Sequence, residues 1–117
     1  MTAQKISILG AEYTIKCQSI KDNEMFKDCD GYIDWTKHEI YIRDYSIDKD
    51  EFEYKDWKTH MNKTLRHEII HGFLHESGLW INSGTITHNW AMNEEMVDWF
   101  AIQSPKIFKV YQELGIL

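Results

Sequence analysis

The stretch His67-Glu68-Ile69-Ile70-His71 constrains this chain more than any other, because it reads H-E-x-x-H inside a segment of helical periodicity. On a helix, residues four apart stand one turn up on the same face, about 6 Å along the axis. His67 and His71 can therefore hold one metal ion together. Glu68 follows His67 directly and projects beside the pair, where a carboxylate can take a proton from a metal-bound water without itself becoming a ligand.

The surrounding pattern predicts one long helix over 57–77. Met61, Leu65, Ile69 and Phe73 recur every four residues as an apolar stripe, with Ile70 and Leu74 on its flank. His60, His67 and His71 fall on a different face. Such a helix is expected to be buried and to line a site. Gly78 is its expected C-terminal stop.

A catalytic zinc takes three protein ligands and keeps one position open for water. His75, four residues past His71, is one candidate for the third. Three histidines stacked at successive turns do not easily converge on one point, however. Carboxylates of a following helix are better placed. In Asn93-Glu94-Glu95-Met96-Val97-Asp98, Glu94 and Asp98 share a face at i and i+4, while Glu95 points about 100° away. A helix folding back on 57–77 would let Glu94 reach the metal. Asp98 would then hydrogen-bond the far nitrogen of a ligand histidine and fix its orientation.

Before the motif the chain reads as sheet. Ile6 and Ile8, then Tyr13, Ile15 and Cys17, alternate with polar neighbours around Gly10-Ala11, which fits a hairpin or a bent strand. Residues 18–30 are polar and read as a loop with one helical turn. Tyr32, Ile33 and Trp35, then Ile40, Tyr41 and Ile42, predict an antiparallel hairpin near 31–35 and 39–43. The fold class expected is α+β, with a sheet of three or four strands packed on the central helix. Residues 44–56 are expected to be a solvated connector, and 79–88 a loop. Asn89 would cap a helix over 90–103. Ser104-Pro105 would end that helix and start another over 105–114, giving two C-terminal helices.

At 117 residues the chain is expected to form a single domain, 1–117, and its 43% hydrophobic content can build a core without staples. The net charge of −6 argues against a nucleic-acid partner. Cys17 and Cys29 match no metal spacing and are expected to be reduced thiols. Neither a leader peptide nor an apolar run long enough to span a membrane is visible, so a soluble cytoplasmic protein is expected.

His67-Glu68-x-x-His71 followed by Asn93-Glu94-x-x-x-Asp98-x-Phe100 resembles the thermolysin-type gluzincin signature. The run Glu94-x-x-Val97-Asp98-x-Phe100-Ala101 is also similar to that of the ImmA/IrrE-like small zincins, with Val97 in place of the usual alanine. A small sheet ahead of the motif helix looks like the layout of a compact phage or prophage zincin. The resemblance covers residues 67–101. It implies a zincin-like fold and an intracellular zinc metallopeptidase, with zinc held by His67, His71 and Glu94. It also implies Asp98 behind a ligand histidine and Glu68 as the catalytic base. The tetrahedral oxyanion would need a second donor, for which His88 and His75 are candidates. The substrate would be a protein or peptide added as a strand along a sheet edge, either the 39–43 strand or its hairpin partner. The alternative is a catalytically inactive zincin-like domain that binds a protein partner. The presence of Glu68, which such a domain would have no reason to keep, favours the enzyme.

Overall fold

The computed structural model describes residues 3–48, 56–82 and 90–117. Strands β1 (Gln4–Ile8) and β2 (Ala11–Gln18) pair as an antiparallel hairpin. The two residues between them, Leu9 and Gly10, have φ of 49° and 89°. Positive φ at both positions belongs to a type I′ turn, whose twist suits the flanking strands. A 3-10 turn over Glu24–Lys27, capped by Asn23, interrupts the polar stretch that follows. Strands β3 (Gly31–Asp34) and β4 (Glu39–Arg43) form the second hairpin, close to its expected bounds.

The sheet is four-stranded and mixed, in the order β1-β2-β4-β3, because β4 pairs in parallel with β2 as well as antiparallel with β3. The 39–43 strand is therefore interior, and its hairpin partner β3 is the edge. Ile40 and Ile42 are completely shielded, which is what a strand flanked on both sides allows.

Helix α1 (Trp57–Glu76) starts at Asp56, whose side chain accepts from the Thr59 amide, and ends before Gly78, at φ 83°. Its Met61, Leu65 and Ile69 pack on Ile8, Tyr13, Ile15, Ile40 and Ile42. Phe73 does not follow them: it is exposed. Each four-residue step turns about 40° too far, so three steps carry Phe73 about 120° round the helix from Met61. Leu74 and Ile70 instead form a second apolar cluster with Ala91, Met96 and Val97. Two glycines let α1 and the sheet close up. A Cβ on Gly72 would lie 2.7 Å from Ile8 Cδ1, and one on Gly31 would lie 2.7 Å from Thr64 Cγ2. Contacts from Asp30–His60 to Trp35–His75 show β3 and α1 running side by side in the same direction.

Further expectations are corrected. Residues 44–48 are not a solvated connector. Asp44, Tyr45 and Asp48 are buried, and Asp48 accepts from the Ile20 amide at 2.8 Å and from Arg43 Nε at 2.9 Å. The remainder of that segment, 49–55, lies outside the described residues. The 79–88 loop begins with a helical turn, α2 (Leu79–Asn82), while 83–89, with the proposed cap Asn89, lie outside the described residues. Trp90–Met92 is a 3-10 turn, and the capping residue of the next helix is Asn93, whose side chain accepts from the Met96 amide at 2.8 Å.

The last correction is at Pro105. Where two helices were expected, α3 (Glu94–Glu113) runs through without a break. Proline at 105 removes the amide that would bond the Ala101 carbonyl. Arg66 of α1 supplies the missing donor: its Nε lies 2.6 Å from Ala101 O. No helix among the described residues is long and apolar enough to cross a membrane.

Removing that donor is expected to cost about 1–3 kcal/mol, the penalty for an unsatisfied buried carbonyl. Arg66→Met should therefore lower stability in denaturant titrations by this amount. In a Pro105→Ala background the restored amide should shrink the loss. Equal losses in both backgrounds would show that Arg66 does not serve this carbonyl.

Candidate metal centre

The antiparallel packing of α3 on α1 brings the first turn of α3 over the middle of α1. His67 Nε2 and His71 Nε2 lie 3.1 Å apart, with their rings nearly perpendicular. Glu94 projects between them, its Oε1 2.7 Å from His71 Nε2 and its Oε2 3.3 Å from His67 Nε2. One ligand atom from each of the three residues lies within 4.8 Å of the others, and this is the one such group among the described residues. Two ligand atoms on a tetrahedral zinc stand about 3.3 Å apart. The spacing thus fits a single ion of that size, and the donor set of two imidazoles and a carboxylate suits zinc.

The orientation of His67 is fixed from behind. Asp98 Oδ1 lies 3.3 Å from His67 Nδ1, so Nδ1–H donates to the carboxylate and the Nε2 lone pair is left facing Glu94 and His71. The same Asp98 oxygen is 2.8 Å from Lys63 Nζ. That ammonium, and then His67, hold the Asp98 carboxyl below its usual range. Burial lowers the His71 imidazole, which favours its neutral, ligating form, although Glu94 pulls the other way.

Glu68 is 6% exposed and lines the same cleft. Desolvation, reinforced by the Glu94 charge, pushes its carboxyl up to about 7. The cleft holds about 470 Å³ between α1, the edge strand β3 and the start of α3. The two imidazoles are mostly shielded, whereas the Glu94 side chain is 70% exposed, so the centre opens to solvent on the α3 side.

The remaining candidates fall elsewhere. Glu95 is exposed and outside the group. His75 is also outside it, although it lines the cleft one turn beyond His71. Its ring stacks on Trp35 at 5.4 Å and on Trp80 at 4.5 Å. His88 lies outside the described residues. His60 lines the opposite end of the cleft, where its Nε2 is 2.7 Å from Asp30 Oδ2. Sequence reasoning passed over Lys63, Asp30, Trp35 and Trp80. Lys63 was findable, since it precedes His67 by four residues on the same strip. Asp30 and Trp80 reach the cleft, and Trp35 reaches its His75, through tertiary packing alone.

No protein-family model, no curated protein and no solved structure matches the chain.

Two measurements probe this centre. In zinc titrations Glu94→Ala should weaken affinity far more than Glu95→Ala, with Asp98→Ala intermediate at about 10- to 100-fold. If His75→Ala proved the damaging change and Glu94→Ala neutral, the third ligand would be misassigned. The second concerns metal-free protein. Glu68 has a folded value near 7 against an ordinary 4.5, so its contribution to stability is complete below pH 4.5. That contribution is lost as pH rises to about 7, by about 3 kcal/mol. Glu68→Gln should flatten this pH dependence in urea titrations.

Proposed function

We propose that this chain is a zincin-like zinc metallopeptidase. The observation that carries the reading is the convergence of His67, His71 and Glu94 in one cleft with the buried carboxylate of Glu68. In this reading His67, His71 and Glu94 hold the ion, and Asp98 keeps the His67 ring in the ligating tautomer. Zinc bound there supplies Lewis acidity, which brings the pKa of water toward neutrality and polarises the scissile carbonyl. Glu68 accepts the proton of the attacking water and delivers it to the leaving amine. Its low exposure keeps bulk water from competing for that proton.

The substrate class follows from what borders the cleft. Asp30, Gly31, Tyr32 and Ile33 line it, and β3 is one of the two edges of the described sheet, the one beside the cleft. An edge strand offers backbone donors and acceptors to an extended chain, so a peptide is the natural occupant. His75 is the described candidate for the second oxyanion donor, because it lines the cleft beside His71.

The test is peptide hydrolysis by zinc-reconstituted full-length chain, with metal content measured in parallel. Glu68→Gln should keep near-unit zinc stoichiometry and lose at least about 100-fold in kcat/KM. His71→Ala should lose most of the metal. Hydrolysis by Glu68→Gln at the parent rate would overturn the reading.

A further inference from the structure

The cleft does not end at the candidate ligands. Because β3 and α1 run side by side in the same direction, it continues as a groove with two chemically different ends. At one end stand His60 and Asp30, paired at 2.7 Å, with the Tyr45 hydroxyl donating to the other Asp30 oxygen at 2.7 Å. At the other end stand His75 on α1 and Trp80 on α2, with Trp35, in the turn that follows β3, stacked on His75. Their rings lie close to parallel, with interplanar angles of 17° for Trp35–His75 and 29° for His75–Trp80. Trp35 remains 40% exposed, and both His75 and Trp80 face the groove. The candidate ligands His67 and His71 lie between the two ends.

We propose that Trp35, His75 and Trp80 form a subsite for an aromatic side chain of an extended peptide lying along β3. The inference rests on the peptidase reading of the centre and adds the side chain that it selects. A flat ring continues a stack of near-parallel rings, whereas a branched aliphatic side chain cannot, and one further aromatic pair together with the partial burial of its ring is worth about tenfold in affinity. His75 lies one turn, about 6 Å, beyond His71. An extended chain advances about 3.3 Å per residue, so the aromatic residue falls within about two positions of the bond cut. Antiparallel pairing is the more stable arrangement. A peptide antiparallel to β3 enters at the Trp35 end, which places the aromatic residue on the amino-terminal side of that bond.

The experiment uses the full chain carrying Glu68→Gln, loaded with zinc, and fluorescently labelled hexapeptides with phenylalanine or alanine at each position in turn. Anisotropy should show about tenfold tighter binding for phenylalanine at one position. Trp80→Ala should abolish that preference, and Trp80→Phe should restore it, which separates recognition from misfolding. Trp35→Ala should reduce it. The parent chain is assayed for hydrolysis of the same peptides. A phenylalanine preference without hydrolysis overturns the peptidase reading and leaves the subsite standing. Hydrolysis without the preference, or with a preference unmoved by both tryptophan changes, overturns the subsite alone. Neither binding nor hydrolysis overturns both.

Discussion

The register of α3 against α1 is the constraint on which the candidate centre depends. Glu94 reaches His67 and His71 only because the two helices are locked at this offset, and three polar contacts set it. Lys63 and His67 both hold Asp98, and Arg66 holds the Ala101 carbonyl. Arg66 bonds an acceptor whose helical donor Pro105 has removed. Sliding α3 by one turn would strand that carbonyl and shift Asp98 about 5.4 Å along the axis, out of reach of His67. The proline that would ordinarily break the helix thus gives α3 a specific seat on α1. Apolar contacts of Leu74, Ala91 and Val97 supply the adhesion but not the offset.

Legibility in the sequence followed the range of the interaction. The two hairpins, the bounds of α1 and the glycine beyond its end were readable because alternation, four-residue spacing and capping are local properties. The pairing of β2 with β4 was not readable, since it joins segments separated by a whole hairpin. The burial of 44–48 was hidden for the same reason: Asp48 looks solvated until Arg43 and the Ile20 amide are beside it. Pro105 misled because local rules treat it as a break, and the donor that rescues the helix comes from Arg66, 39 positions earlier. The site divided likewise. His67, His71, Glu94 and Asp98 stand out by helical spacing, and the structure brings these four together. The aromatic wall did not stand out, because Trp35, His75 and Trp80 come from a turn and two helices.

The electrostatics of the cleft tie these features together. Glu68 is shielded while Glu94 stands at the open side of the cleft, and the Glu94 charge adds to the desolvation already acting on Glu68. The nearby ammonium of Lys63 eases this, but it is also bonded to Asp98. A divalent cation between the two imidazoles and Glu94 would neutralise Glu94 and leave the centre net positive by one. The same cation would favour the ionised form of Glu68, which is the form a general base requires. The packing that places the proposed ligands also buries the proposed base, so the two are linked: Glu68 is expected to gain its proton-accepting form when the centre is filled.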